Sequence, residues 1–321
     1  MTHALRIHRY GGPEELQWEE VAVDTPGPGE ALLRHTAIGV NFVDVVYRRG
    51  AAPSLPHIPG REGAGIVEAV GPGVTEVVVG DRVAYAPLSG AYAERRLIAA
   101  DRLVKLPDQI DDITAAATML QGMTVQYLIR QLHRVERGDT ILVHAAAGGI
   151  GLFLCQWAAA LGAQVIGTVS SVEKAAIAHA HGCHHVILYT KEDFLTRVLE
   201  ITEGHGVPVV YDGVGRDTFI KSIACLARLG QVISFGQASG PVPPFDLGLL
   251  AAKSAAVRRA GLMSFVSTRA DLLSVAADTF DAVLTGKVRV QVNHTYPLRE
   301  GAQANRDLED RKTTGSIVLL P

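Results

Sequence analysis

The chain has 321 residues, of which 48% are apolar and 20% charged, with a net charge of −3. That length admits two domains with substantial cores, and the composition excludes a disordered chain. The weakly acidic balance excludes a general binder of nucleic acid or anionic membrane, which needs a surplus of Lys and Arg, though not a local basic pocket for one phosphate.

The first residues, MTHALRIHRYGGPEEL, lack a basic patch followed by an apolar run and a small-residue cleavage site, so no secretory signal is expected. Cys155, Cys183 and Cys225 form no paired framework and imply reduced thiols in a cytoplasm. From Met1 to about Gln121 short apolar runs alternate with Gly and Pro. EALLRHTAIGV, GAGIVEAVG and GDRVAYAP read as strands between tight turns, the pattern of a β-rich, barrel-like domain. NFVDVVYRRGAAPSLPHIPG reads as a short helix or turn followed by a loop stiffened by three prolines.

From about Asp139 strands and helices alternate: DTILVHA, GGIGLFLCQWAAALG, AQVIGTV, SVEKAAIAHAHG, HHVILY, KEDFLTRVLEITEG, VPVVYDGVG, RDTFIKSIACLARLG and GQVISFG. Acidic residues are expected in the first turn of the helix in KEDFLTRVLEITEG, where the helix dipole favours them. Such alternation implies a parallel sheet with helices on both faces. Several helices stop at a Gly, which suits a left-handed cap. After about Met263 a long helix, TRADLLSVAADTFDAVLTG, leads to a strand-rich tail ending GSIVLLP, expected to fold back onto the first region.

Ile141 to Gly162, ILVHAAAGGIGLFLCQWAAALG, is as apolar as a bilayer-spanning helix. Three glycines interrupt it and another strand follows at once, so strand–turn–helix is the expected form. The turn is a variant of G-x-G-x-x-G, with Ala146 at the first position and Gly148 and Gly151 at the others. Small residues let the backbone approach a pyrophosphate, and the helix start offers it free N–H groups. An NAD site places an acid at the end of the second strand, about 20 residues on, to hold the ribose 2′-hydroxyl. Here stand Ser170 and Ser171, with Lys174 close behind and no acid before Glu173. Hydroxyls and an ammonium favour a 2′-phosphate, so NADPH is the expected cofactor. The histidines of HAHGCHH, His179 to His185, span a helix end, a turn and a strand start, where side chains diverge; no metal site is expected there.

AIGVNFVDVVYRRG, GREGAGIVEAVGPGVTEVVVGDRV, GMTVQYLI, HAAAGGIG, GTVSSVEK, VVYDGVGRDT and SFGQASG together resemble the zinc-free branch of the medium-chain dehydrogenase/reductases. More narrowly, they resemble its NADPH:quinone oxidoreductases of the zeta-crystallin type. The resemblance implies an α/β fold: a Rossmann doubly wound parallel sheet over 122–263, and a GroES-like β-barrel catalytic domain over 1–121 completed by 264–321, with the active site in the cleft where they meet. It implies Asn41 and Thr124 on the nicotinamide side, with the turn residues Ala146, Gly148, Gly149, Ile150 and Gly151 on the pyrophosphate. Gly215, Phe235 and Gly236 also line the cofactor. Ser170, Ser171, Lys174, Tyr189 and Arg311 gather at the 2′-phosphate. A homodimer through the Rossmann domain is the family's usual form.

Zinc members keep a Cys where Asn41 stands and a His where this chain has Arg61, and neither replacement is a zinc ligand. The expected reaction is therefore zinc-independent: the nicotinamide donates hydride, and the protein orients the acceptor. Asn41 is the expected donor to the nicotinamide ribose or the acceptor oxygen. Asp44 is expected to be a structural cap. Some bacterial relatives have tyrosines at the positions of Val46 and Ala52. This chain has Tyr47 one step away, assigned to the catalytic set with Asn41, and small residues at Ala51 and Ala52. A wider acceptor pocket follows. The alternative reaction is reduction of an activated C=C bond in an enone, enoate or haloacrylate. That reaction benefits from a proton donor, for which Tyr47 and Tyr92 are the candidates. Some relatives serve as lens proteins or bind AU-rich RNA; the acidic balance points away from RNA.

Overall fold

The computed structural model describes residues 2–321. β1 (Thr2–Arg6) and β2 (Gln17–Val21) form a small antiparallel ribbon. β3 (Glu30–Val40) alternates buried and half-buried residues before a fully buried end, as a strand that moves from a sheet face into a core must. α1 (Phe42–Val46) follows and closes through a wide turn at Gly50, whose φ of 141° only glycine adopts easily. β4 (Glu62–Val70), β5 (Arg82–Tyr85), β6 (Arg95–Ala99) and β7 (Val104–Lys105) come next, then α2 (Asp112–Ala116) and α3 (Met119–Gln126).

The alternating region follows: β8 (Thr140–Val143), α4 (Gly149–Ala160), β9 (Gln164–Val169), α5 (Val172–Ala180), β10 (His185–Leu188), α6 (Phe194–Ile201), β11 (Val207–Asp212), α7 (Phe219–Ala224), β12 (Leu226–Ser234), α8 (Gly248–Ala251) and β13 (Ala256–Arg259). The chain ends with α9 (Arg269–Leu284), β14 (Val292–Pro297), α10 (Gly301–Glu309) and β15 (Ser316–Leu320).

Two compact units result. One runs up to Met123 and includes Phe265–Leu284 and Val290–Pro321; the other is Thr124–Ser264 with Thr285–Arg289. In the first, a mixed sheet has the order β14-β15-β3-β4-β5-β7, with β6 also on β3. The tail strand β15 pairs antiparallel with the end of β3, Ile317 facing Val40. Bulges in β3 between Leu32 and Leu33 and between His35 and Ala37 bend the sheet around a core of Leu5, Leu33, Ile38, Val67, Tyr85, Ile98 and Leu319.

In the second unit the order is β10-β9-β8-β11-β12-β13, all parallel. The chain winds outward from β8 to β9 and β10, then restarts on the other side of β8 with β11. That reversal is the switch point outside whose carboxyl strand ends ligands bind in open α/β sheets. The core is Leu142, Ile166, Ile187, Val210, Val232, Phe219 and their neighbours. α4 is buried along most of its length against this sheet, and among the described residues no helix is long and apolar enough to cross a membrane.

Four local expectations are corrected. The helix read from RDTFIKSIACLARLG ends at Ala224, and Leu226 already pairs with Val207 as the start of β12. Its apolar residues suit either period, and strand pairing in the core decides. In KEDFLTRVLEITEG no acid lies in the first turn: Asp193 is the N-cap, accepting from Thr196 N–H at 3.1 Å, and Glu192 accepts from Leu188 N–H at 3.0 Å. The tail is not only strand, since α10 packs Ala304 into the core and lays Ala302 and Leu308 against it. β13 lay unread because Arg258 and Arg259 obscure its alternation.

Gly151 is the tightest point of the β8–α4 turn. A Cβ there would lie 2.8 Å from Ala146 Cα and press on the Ala145 carbonyl oxygen, both backbone and unable to move aside. Gly151→Ala is expected to cost about 1–3 kcal/mol, read as a lowered midpoint in chemical denaturation; an unchanged midpoint would contradict this packing.

Candidate functional site

β8 ends at Val143, and the chain turns through Ala145 (φ 55°) and Ala146 to Gly148, the N-cap of α4. Gly148 carries no capping side chain, so the first N–H groups of α4, on Gly149, Ile150 and Gly151, have no partner within the helix. They lie at the positive end of a twelve-residue helix and make a cradle of the kind that can receive an anion. Beneath it, Gly167 of β9 has no room for a Cβ, which would lie 2.6 Å from Ala146 Cβ. His144 is wholly internal, with Nδ1 2.9 Å from Thr168 Oγ1 and Nε2 2.9 Å from Ser222 Oγ; burial lowers its pKa.

The neighbouring strand end carries the residues read as a 2′-phosphate site. Ser170 follows β9, and Ser171 caps α5 by accepting from Lys174 N–H at 3.3 Å. Tyr189 follows β10; its N–H donates to Val169 C=O at 3.2 Å, and its side chain is exposed. Ser170, Ser171, Lys174 and Tyr189 thus follow the carboxyl ends of the neighbouring strands β9 and β10, next to β8. Arg311 is in the other unit, in a left-handed turn (φ 59°) after α10. On the far side of β8, Asp212 at the end of β11 accepts from Val214 N–H (2.8 Å), Gly215 N–H (2.9 Å) and Thr218 Oγ1 (2.9 Å). Phe235 N–H donates to Asp212 C=O at 2.9 Å, and Gly236 packs on Gly213 with no space for a Cβ. Gly215, Phe235 and Gly236 therefore share one pair of strand ends. Thr124 is buried in α3.

The second cluster lies in the other unit. Asn41 is the N-cap of α1; its backbone N–H donates to Asp44 Oδ2 at 2.9 Å. Asp44 is thereby the structural partner expected for it. Asn41 Nδ2 donates to Glu62 Oε1 at 2.5 Å, and its Oδ1 accepts from Gln121 Nε2 at 3.3 Å. Gln121 Oε1 accepts from Ser316 Oγ at 2.9 Å, and Glu62 Oε2 from Leu120 N–H at 2.6 Å. Burial pushes the Glu62 carboxyl up to about 8, against the pull of its two hydrogen bonds, and Asp44 adds to the rise. Burial likewise pushes Asp44 up to about 7. Tyr92 is fully buried, donates to Asp44 Oδ2 at 3.0 Å, and is held well above its usual pKa by burial; it cannot serve as a proton donor to a substrate.

Tyr47 is half-buried under the Arg61 guanidinium, 4.6 Å from its ring centroid, and stacks on His57 at 6.2 Å. Arg61 also donates to Pro87 C=O at 2.6 Å. Asn41 and Arg61, at the zinc-ligand positions of the wider family, are committed to a carboxylate and to an aromatic face. Neither supplies the thiolate or imidazole that zinc requires, and the residues do not fit that metal. His181 Nδ1 lies 2.7 Å from Ile177 C=O, whereas His184 Nδ1 accepts from Val165 N–H at 3.0 Å, so these rings point to different elements. Glu62, Gln121 and Asp212 were missed by the sequence reading. Glu62 had one usable signal: an acid inside the apolar run GREGAGIV.

Glu62 and Asp44 stay protonated in the folded chain at pH values where the unfolded chain has released their protons. Their contribution to stability is complete below the unfolded carboxyl values and is lost as pH rises through about 7 and 8. The buried His35, pushed down to about 3 by burial, acts oppositely but only below the unfolded histidine value. Between about pH 6.5 and about pH 8.5 stability should therefore fall, by at least about 1 kcal/mol. Thermal melts across that range test this; a flat or rising curve would refute it.

Comparison with known proteins places the chain in one family. The alcohol dehydrogenase GroES-like domain matches residues 27–108, and the zinc-binding dehydrogenase domain matches 149–278. A quinone oxidoreductase of Pseudomonas aeruginosa is 50% identical over the whole of both chains. A 2-haloacrylate reductase of a Burkholderia species is 47% identical over 100% of this chain and 99% of its own. The crystal structure of Escherichia coli quinone oxidoreductase complexed with NADPH superposes with a TM-score of 0.97 at 43% identity, covering 99% of this chain and all of that one. With a GroES-like unit, a Rossmann unit and full-length identity of this order, the chain belongs to the quinone oxidoreductase family of the medium-chain dehydrogenase/reductases.

Proposed function

We propose that the chain is an NADPH-dependent, zinc-independent quinone oxidoreductase. The observation that carries this reading is the uncapped start of α4 beside a strand end where Ser170 and Ser171 stand in place of an acid, with Lys174 close behind; the nearest carboxylate, Glu173, is in the first turn of α5 and is engaged by the Ser171 side chain. The cradle fits a diphosphate, because Gly151 leaves backbone where a Cβ would intrude and three N–H groups await an acceptor. Gly148, Gly149, Ile150 and Gly151, with Ala146 beneath them, hold the pyrophosphate. Ser170, Ser171, Lys174 and Tyr189 hold the 2′-phosphate, with Arg311 as a further cation. Gly215, Phe235 and Gly236 line the cofactor beyond the switch point, and Thr124 and Asn41 serve its nicotinamide side.

When bound, NADPH supplies a hydride to the acceptor. The chain's own residues bind, orient and exclude water. Glu62 takes one Asn41 N–H, and the other is available to the nicotinamide ribose or to the acceptor oxygen, where negative charge grows. Tyr47, held by Arg61 and His57, lends an aromatic side chain to the acceptor side. Nucleic acid and membrane are not partners in this reading. The protein works in the cytoplasm as a homodimer through the Rossmann unit, with residues 1–121 and 264–321 as the catalytic domain and 122–263 as the cofactor domain.

A second reading, reduction of activated C=C bonds, is favoured by one feature. Arg61 is half-exposed and cationic, as recognition of a carboxylate-bearing acrylate requires, and the 2-haloacrylate reductase is a near relative. NADPH consumption over a panel of quinones, enones and haloacrylates separates the two. Quinone turnover far above that of the alkenes is expected. Lys174→Ala should weaken NADPH binding roughly tenfold or more, as loss of a charge-assisted hydrogen bond does, and leave NADH binding unchanged. Equal use of NADH and NADPH by the unaltered protein would overturn the cofactor assignment.

A further inference from the structure

The row Glu62–Asn41–Gln121–Ser316 has a property that no single bond in it shows. Asn41 Nδ2 donates to Glu62, Gln121 Nε2 donates to Asn41 Oδ1, and Ser316 Oγ donates to Gln121 Oε1. Every bond runs in the same direction, toward the carboxylate. The far end is a hydroxyl, which can donate or accept. The near end is a carboxyl, which accepts when ionised and donates when protonated.

The proton's place on Glu62 is dictated by its surroundings. Oε2 receives the Leu120 backbone N–H, a donor that cannot turn around, so a proton on Glu62 must sit on Oε1, facing Asn41. Asn41 can then no longer present its NH2 there. If both amides rotate by half a turn, Glu62 Oε1–H donates to Asn41 Oδ1, Asn41 Nδ2 to Gln121 Oε1, and Gln121 Nε2 to Ser316 Oγ. Three hydrogen bonds are exchanged for three, and only the direction changes. Glu62, Gln121 and Ser316 are buried and the atoms of Asn41 that face them are enclosed between them, so the row must be satisfied one way or the other.

We propose that Glu62 is a positioning residue whose proton sets the orientation of the Asn41 amide, so that the free N–H of Asn41 points from Glu62's side when the carboxyl is ionised and from Gln121's side when it is protonated. This rests on the reading of Asn41 as the residue that meets the nicotinamide ribose or the acceptor oxygen. Because a hydrogen bond is directional, moving that N–H from one side of the amide to the other makes or breaks a contact to a bound molecule.

The groups around Glu62 allow the carboxyl to titrate within the working range. Asp44 faces it from α1 and disfavours its charge. Tyr85 of β5 lies near, and its hydroxyl is taken by His35 of β3 (2.8 Å) and Arg96 of β6 (3.2 Å). Arg61 and Arg48 act on Asp44, which also receives the Tyr92 hydroxyl. β3 presents Gly39, whose missing Cβ leaves the space that the Glu62 carboxylate and the Ala116 carbonyl occupy. α3 contributes Leu120 and Gln121, and β15 Ser316; α2 packs on β3 and β4, and its Asp112 is paired with Arg82. Burial pushes Glu62 up to about 8, so both states are populated near neutrality.

The test has two arms on the full-length protein. In the first, Asn and Gln side-chain amides labelled with 15N are followed by NMR from about pH 6 to about pH 10. The expected result is one shared transition in Asn41 and Gln121, absent in Glu62→Gln. In that variant the Gln oxygen must take the Leu120 N–H, and its NH2 imitates the protonated acid. In the second arm, kcat and KM for NADPH and a simple benzoquinone are measured over the same range. The unaltered protein should gain roughly fivefold in kcat/KM as Glu62 ionises, the equivalent of one net hydrogen bond. Glu62→Gln should stay at the low-pH value throughout.

Separate midpoints for Asn41 and Gln121, or a transition that survives in Glu62→Gln and so belongs to Asp44, would overturn the rotation. The wild-type NMR arm decides this even if the variant does not fold. A clear NMR transition with flat kinetics would overturn the positioning role. Absence of turnover with any acceptor would instead count against the functional reading, leaving the NMR arm to judge the rotation.

Discussion

The first turn of α4 has backbone N–H groups that have no partner within the helix and none from its cap, and the second unit is arranged to keep them so. A side chain at the cap position would have answered at least one of them; Gly148 answers none. A Cβ at position 151 would have pushed the turn away from Ala145 and Ala146 and moved the donors out of line. The sheet order then places this unanswered helix end where the winding direction reverses, so that both neighbouring strand ends can contribute side chains. Ser170, Ser171 and Lys174 arrive from one side, and the Asp212-braced turn carrying Gly215 from the other.

The polar groups of the first unit follow the opposite arrangement. Asn41, Asp44, Glu62, Gln121, Ser316 and Tyr92 are buried and bonded to one another, with Asn305 reaching Tyr92 at 3.3 Å. Burial raises both carboxyls, and the Asp44 charge adds to the rise of Glu62. The strand β15 is essential to this cluster, since Ser316 ends the row, and β15 reaches it by pairing with β3. The chain's last segment is thus tied to a site whose other members lie near its beginning.

The alternating units and the glycine turn before α4 were legible in the sequence because each rests on local rules. Gly148, Gly149 and Gly151 mark a turn by their lack of side chains, and Ser170, Ser171 and Lys174 stand within five residues of one another. The stretch from Leu226 to Gly230 was misread for a different reason. Its apolar spacing is satisfied by helix or strand, and pairing with Val207, distant in sequence, settles it. The Glu62 row was invisible for the same cause. Its members come from β4, α1, α3 and β15, and no spacing links residues 41, 62, 121 and 316. α10 was missed because it has too few apolar residues to announce a buried stripe, only Ala302, Ala304 and Leu308.

On the proposed reading, the contrast between the two clusters follows from what each one would meet. A diphosphate brings its own charge and many acceptor oxygens, so a protein can leave donors open to it and recover their desolvation on binding. A neutral quinone or enone brings one or two weak acceptors and a flat apolar body. A site for such a molecule cannot keep several donors or charges waiting in a dry pocket, because nothing in the ligand would satisfy them. Its polar groups must satisfy each other first and offer the ligand only what remains. Asn41, with one N–H held by Glu62 and its carbonyl held by Gln121, has one N–H left over. A single directed donor held by buried partners is what an acceptor needs at the oxygen that becomes negative, and it is as much polarity as such a pocket can hold without a metal ion.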